Sequence, residues 1–456
     1  MKMLIKNICL YAADDANTHL AHAAILVNED KIARIIDCDA SDITQIEHSE
    51  AVDQIVDGGG MLAMPGLINA HTHLFQTFMR GLGEGLPLYE WLKKMIWPIS
   101  IAMQPEDFYY AALLGCVEAL KGGTTTIVDN HYIHCDPFSA DLVIEAMRTS
   151  GIRGVLARGY ANRYYHPAIL EDMDTIKREL MRLLNTWHGI CGGRITICPA
   201  PLSPVRCTPD LFRWTGDFAL ENDLMLHTHN AETQTIREET CREYGLSNVR
   251  FLKSVNMLHA RTNLVHSVKV DEEEMELIRD VGAHVVYCPI SNMYLGSGIA
   301  PISEFLRKQI NVAAASDGPA SNNAQNMFET IKVGACLQRA ALEDANAVTV
   351  EQTIRMATAN AGIALGNPNI GTLEEDKQAD IILLDLKRAH MRPLHSYGAT
   401  IAYCAQAADV DTVFVAGKML VRNKSVLCVD EQALIAECEK RIRSAIERSA
   451  YGKQPQ

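Results

Sequence analysis

The sequence predicts an α/β protein: a (β/α)8 TIM barrel with a small β-sandwich domain formed by both termini. Three observations carry this reading. The middle of the chain alternates apolar strand-like runs with amphipathic helical stretches. Both ends are rich in short strands. Polar residues of metal-ligating type recur at the C-terminal tips of the central strands.

At the N-terminus, Met3–Ala12, His22–Val27 and Lys31–Cys38 read as short strands, with turns at Asn28-Glu29-Asp30 and Gly58-Gly59-Gly60. The tail repeats the pattern in Ala379–Leu386, Asp411–Ala416 and, after Gly417-Lys418, Met419–Arg422. Residues 1–60 and 370–430 are therefore expected to build one small β domain, 61–369 the barrel, and 431–456 a C-terminal helix. Within that last segment Glu431–Arg448 has helical periodicity and many charges.

The eight central strand candidates are Met61–Ala70, Thr124–Asp129, Gly154–Tyr160, Arg194–Ala200, Leu224–His229, Asn263–Ser267, Ala283–Ile290 and Asn311–Ala315. Between most of them lie helical stretches such as Asp107–Lys121, Ser139–Ser150, Asp174–Trp187, Asp210–Glu221, Asp271–Val281 and Pro301–Lys308. Strands that are apolar throughout fit a parallel sheet covered on both faces. A doubly wound open sheet is the alternative. No Gly-x-Gly-x-x-Gly follows the first strand, so nothing favours a dinucleotide fold.

Bulk composition narrows the function classes. A hydrophobic fraction of 48% and a charged fraction of 21% are those of an ordinary folded protein. The net charge of −14, from 42 basic and 56 acidic residues, argues against nucleic-acid and anionic-membrane binding. The 13 cysteines are odd in number and contain no C-x-x-C pair, the pattern of reduced thiols in a cytoplasmic protein. Neither a secretory h-region nor an uncharged apolar stretch long enough to span a bilayer is read in the chain.

The chemistry begins at His71-Thr72-His73, directly after the apolar run Met61–Ala70. Residues i and i+2 of a strand share a side, so both imidazoles can converge at the strand tip and start a divalent metal site. Alone, such a pair is more often a chance feature of a polar loop. Three further strands end in the same way: Leu226-His227-Thr228-His229, followed by Asn230-Ala231-Glu232; Leu264-Val265-His266; and Ala315-Ser316-Asp317. Four strands each ending in His or Asp rarely arise from packing alone.

These residues resemble the metal-dependent amidohydrolase superfamily. The resemblance runs from Pro65-Gly66-Leu67-Ile68-Asn69-Ala70-His71-Thr72-His73 through Gly123-Thr124-Thr125-Thr126, His229-Asn230-Ala231-Glu232, Val265-His266 and Ser316-Asp317-Gly318 to Gly371-Thr372-Leu373 and Ala379-Asp380-Ile381. It covers nearly the whole chain and points to the aminohydrolase/chlorohydrolase branch, which holds methylthioadenosine/adenosylhomocysteine, guanine and pterin deaminases and triazine hydrolases. It implies a hydrolase of non-peptide carbon–nitrogen bonds that releases ammonia from an aminated N-heteroaromatic ring by attack of metal-activated water. His71, His73, His229 and Asp317 would hold one Zn2+ per chain, with Fe2+ the alternative. Asp317 would also accept the water's proton, Glu232 would carry a proton to the ring, and His266 would hydrogen-bond the attacking water. His227, deeper on the same side, reads as a packed or supporting residue. Strand 4 carries no lysine of the kind that bridges two metals in other branches, which favours a single ion and disfavours amide-ring opening.

The substrate is expected under the loop Leu74–Trp97. Gln76 could hydrogen-bond a heterocycle, and Trp91 could stack on one or serve the core equally well. Asn130, Arg158 and Ser321 complete the substrate-binding candidates, with a structural ion pair as the alternative for Arg158. Methylthioadenosine/adenosylhomocysteine deaminases carry Pro-His-Ser-Pro after strand 4 and a ribose-binding acid near the Trp-containing loop. This chain has Pro201-Leu202-Ser203-Pro204 and Pro98-Ile99-Ser100. By contrast, Cys198-Pro199-Ala200-Pro201 and Ser291–Gly298 resemble triazine hydrolases. A free small-molecule heterocycle is the leading expectation; a nucleoside deaminase, a triazine chlorohydrolase and a catalytically silent binding barrel are the alternatives. The family also implies a homo-oligomer, a dimer or higher.

Overall fold

The computed structural model describes residues 1–40 and 50–452. Strands β1 (Lys2–Tyr11), β2 (His19–Asn28) and β3 (Lys31–Asp37) form an antiparallel meander, and β4 (Gln54–Pro65) runs parallel to β1. Strands β5 (Leu67–Thr72), β6 (Thr124–His131), β7 (Arg153–Tyr160) and β8 (Ile195–Pro201) make a four-stranded parallel sheet. Strands β9 (Leu226–Asn230), β10 (Thr262–His266), β11 (His284–Tyr287) and β12 (Val312–Ala314) make a second. Strands β13 (Ile381–Leu384), β14 (Val410–Val415), β15 (Lys418–Arg422) and β16 (Ser425–Val426) return to the N-terminal strands.

The terminal strands form one continuous hydrogen-bonded eight-stranded sheet, ordered β16-β15-β14-β13-β4-β1-β2-β3. The cause is β4, which pairs with β1 on one edge and with β13 on the other, sewing both ends of the chain together. The single strand read at Met61–Ala70 is divided. Met61–Pro65 lies in the terminal sheet, and the chain crosses at Gly66, whose N–H donates to Asp380 O (2.9 Å), before β5 begins. Proline at 65 has no N–H to continue a ladder. The C-terminal helix falls at Glu431–Arg448, as read from the sequence.

The two parallel sheets meet along both edges. On one seam His229 N donates to Leu202 O (3.1 Å) and Thr228 Oγ1 to Pro201 O (2.7 Å); on the other Asp317 N donates to His71 O (3.0 Å) and Ser316 N to Asn69 Oδ1 (3.0 Å). Period-2 alternation divides each strand between two apolar layers. Val128, Val155, Ala157, Cys198 and Ala200 form one cluster, and Ile68, Ala70, Val265, Val286 and Ala313 another, both between the sheets. The alternating partners Ile127, Leu156, Ile197, Leu264, Val285 and Val312 pack outward against the helices. A buried ion pair, Arg153 Nε to Asp380 Oδ2 (2.9 Å), ties β7 to the terminal sheet. No helix among the described residues is long and apolar enough to cross a membrane.

Candidate metal centre and cavity

The tips of β5, β9, β10 and β12 carry their polar residues to one point. The His71 ring lies 4.7–6.0 Å from those of His73, His229 and His266 between centroids, and His229 lies 5.5 Å from His73 and 5.3 Å from His266. Asp317 Oδ1 is 3.4 Å from both His71 Nε2 and His73 Nε2. His71, His73 and Asp317 can place ligand atoms within 4.8 Å of one another, and so can His71, His229 and His266.

Strand alternation alone does not produce this convergence. Ile68 and Ala70 already face the space between the sheets, so strict alternation would turn His71 away. A register shift between Asn69 and Thr72 on the β5–β6 ladder re-aims it, as bulges beside active sites do. His266 has the parity of outward-facing Leu264, and its left-handed backbone (φ 70°) swings it inward. Asp317 is also left-handed (φ 63°) and is pinned by Thr72 Oγ1, which donates to its carbonyl at 3.0 Å. Such conformations are costly for residues other than glycine and concentrate at functional sites.

The outer atoms of each histidine are fixed. His73 Nδ1 donates to Asn130 O (2.7 Å), so its Nε2 presents a lone pair to Asp317. His266 Nδ1 donates to Asn292 Oδ1 (2.9 Å), leaving Nε2 3.8 Å from Glu232 Oε2. His71 Nδ1 lies 2.8 Å from His227 Nε2, and His71 Nε2 is buried without a hydrogen-bond partner. Asp317 accepts from Ser291 Oγ (2.6 Å) and from Gly318 N (2.6 Å).

Burial lowers the pKa of His71 and His229, and that of His73 to about 3, which favours their neutral forms. For Asp317 burial acts upward, yet the neighbouring imidazoles, His71 first, hold its carboxyl well below the usual range. Burial raises Glu232, with His266 opposing. Neutral imidazoles whose lone pairs face a buried carboxylate, one Nε2 wholly unpartnered, are an electron-rich cluster that calls for a cation at its centre. The donor set fits a divalent ion of the zinc or iron class.

Above the cluster opens a cavity. Its floor is His73, His229, His266, Glu232 and Asp317, and its walls include Gln76, Trp91 and Ser321. Gln76 lies over Gly318, where a Cβ would stand 1.9 Å from Gln76 Oε1 and would displace its amide. Two of the expected substrate contacts lie outside the cavity lining. Arg158 shares the outward parity of Leu156 and Tyr160, and its Nη2 donates to Glu171 Oε1 (2.6 Å) outside the cavity. The Asn130 side chain donates to Ala157 O (3.0 Å) and does not line the cavity; the residue acts through its carbonyl on His73. The sequence reading missed Tyr89, Tyr132, Tyr165, Leu202 and Arg206, which also line the cavity. Of these, Tyr132 follows the tip of β6 directly, and that position was the available signal.

Known proteins are similar along nearly the whole chain. The amidohydrolase family model matches residues 62–420. A 5-methylthioadenosine/S-adenosylhomocysteine deaminase of Thermoanaerobacter pseudethanolicus is 36% identical over 454 residues, 98% of this chain and 100% of that protein. One from Dictyoglomus turgidum is 32% identical over 98% of this chain and 100% of that protein. Among solved structures, an adenosine deaminase from Xanthomonas campestris with bound zinc superposes with a TM-score of 0.89 at 29% identity, covering 97% of this chain and 98% of that one. A zinc complex of atrazine chlorohydrolase from Arthrobacter aurescens gives 0.90 at 27% identity, covering 96% and 100%. With the cluster at its strand tips, the chain belongs to the amidohydrolase family and is a hydrolase of carbon–nitrogen bonds.

Proposed function

We propose that the chain is a metal-dependent hydrolytic deaminase of an aminated N-heteroaromatic ring, with one divalent ion per chain, and that its two parallel sheets act as one (β/α)8 barrel with the site at its C-terminal mouth. The observation that carries the reading is the meeting of His71, His73, His229 and Asp317 beneath a cavity that also holds Glu232 and His266. The first four would hold the ion, zinc by analogy with the bound neighbours and iron as the alternative. Once bound, such an ion would lower the pKa of a water molecule towards neutrality.

The chain's own residues do the rest. Asp317, kept ionised, accepts a proton from water. Glu232, whose carboxyl is raised by burial, gives its own proton to the ring nitrogen, takes the second water proton from the new hydroxyl as the carbonyl forms, and passes it to the departing amine; the proton held on Asp317 then restores the Glu232 acid. His266 Nε2, aimed by Asn292, orients the attacking oxygen. Gln76 and Tyr132 offer hydrogen bonds to the ring, and Trp91 and Tyr165 offer faces to stack on. The apolar part of the cavity lining is Leu88, Leu92, Leu202, Ile236 and Leu295.

A free ring is the preferred substrate. The acids lining the cavity, Glu232 and Asp317, are both committed to chemistry, which leaves no carboxylate for a ribose diol. Ser100 donates to Ile96 O (2.6 Å) within its own helix and does not line the cavity. The nucleoside reading stands second, on the named activity of the relatives. Comparing kcat/KM for matched free bases and nucleosides decides between them: higher values for the bases support the first reading, higher values for the nucleosides the second.

A further inference from the structure

Tyr89, Arg206 and Glu239 take no part in the chemistry above, yet they join three separate segments at the cavity mouth. Tyr89 lies in the one-turn helix Leu88–Trp91, on the loop that follows β5. Its hydroxyl donates to Glu239 Oε2 (2.6 Å) and accepts from Arg206 Nη2. The guanidinium carbon of Arg206 stands 5.1 Å from the Tyr89 ring centroid, and Nη2 also reaches Glu239 at 3.3 Å.

The three supports differ in rigidity. Arg206 is fixed: its carbonyl accepts from Asn162 N (3.1 Å) and Arg163 N (3.2 Å), and its Nη1 donates to Tyr164 O (2.8 Å). Glu239 stands on the helix Gln234–Tyr244, which starts two residues after Glu232. Tyr89 instead rides on a segment entered through three left-handed glycines, Gly81 (φ 76°), Gly83 (φ 72°) and Gly85 (φ 74°). A Cβ at Gly81 or Gly85 would meet nothing within 4 Å, so turn geometry and not packing guides the chain there. That same segment supplies the apolar wall Leu88, Trp91 and Leu92.

We propose that Tyr89, Arg206 and Glu239 form a latch that holds this glycine-mounted arm over the cavity, and that they are positioning residues for substrate binding. The arm touches the ring in the ground state and the transition state alike, so loosening it raises KM more than it lowers kcat. This rests on the cavity being the substrate site, whereas the latch itself is measurable without any substrate.

Hydrogen exchange on the full chain tests it directly. In Glu239→Gln and Tyr89→Phe, residues 82–92 exchange about tenfold faster than in the parent, the scale of one charge-assisted hydrogen bond. Glu238→Gln, on the same helix but outside the latch, leaves them protected. The double variant exchanges faster than either single one but less than additively, because both changes weaken the Tyr89–Glu239 bond while each also weakens its own contact with Arg206. Unchanged protection in both single variants, or additive effects in the double one, overturns the latch. A parent that releases no ammonia from any aminated ring would instead remove the proposed function and leave the exchange result standing. Where turnover is measurable, a KM that rises more than kcat falls supports the latch, and an unchanged KM contradicts it.

Discussion

His227 Nε2 lies 2.8 Å from His71 Nδ1, and the two rings stack at 22°. The contact orients His71 so that its Nε2 faces Asp317. For that nitrogen to carry a lone pair, Nδ1 must hold the proton and donate it to His227. Supporting contacts of this kind set the tautomer of a metal-ligating histidine.

His227→Phe keeps a ring of similar size and removes the acceptor. Metal affinity, read by competition with a chelator, is expected to fall about 10–100-fold. An unchanged affinity would show that His71 is oriented by packing alone.

Glu232→Gln preserves shape and removes the proton carrier. The variant is expected to retain about one ion per chain by elemental analysis while kcat falls about 10²–10⁴-fold. A variant with parental turnover would mean that another group moves the proton.

Arg158→Met separates the corrected placement from the one expected of the sequence. Arg158 and Glu171 are a buried pair with side-chain exposures of 2% and 10%, and removing one partner strands the other. The expected loss of stability is about 3–5 kcal/mol by denaturant titration, with KM within about twofold of the parent. A stable protein with a large rise in KM would return Arg158 to the substrate.

Asp129 gives a pH signature. Burial pushes its carboxyl up to about 7, with the bond from Leu74 N opposing. A carboxyl raised in the folded state contributes stability that is full below its unfolded pKa of about 4 and is lost as pH rises through its folded value. Asp129→Asn removes that titration. Between pH 5 and pH 8 the stability of the variant relative to the parent is therefore expected to rise, by an amount on the order of a few kcal/mol. Parallel pH profiles would contradict this.

The sequence made the strand tips legible because their chemistry is local: H-x-H, H-x-x-E and a terminal Asp survive any detail of packing. Arg158 lies outside the cavity lining because a strand-end residue one place out of parity faces the helices. His71 and His266 reach the centre through a register shift and a left-handed residue, neither of which residue identity encodes on its own. Tyr165 and Arg206 belong to loops after β7 and β8 and meet Trp91's segment only in the folded chain. The eight-stranded terminal sheet depends on β4 choosing partners from both ends, a long-range pairing that a pattern of short strands leaves open.

The central claim is hydrolytic deamination at a single-ion site. The most direct measurement is ammonia release by the zinc-loaded protein across a panel of aminated purines, pterins, pyrimidines, triazines and their nucleosides. Chlorotriazines are assayed for chloride in parallel. The account predicts ammonia from at least one aminated ring, abolished by chelation and restored by zinc. Chloride release from the chlorotriazines, with no ammonia from any member of the panel, would contradict it.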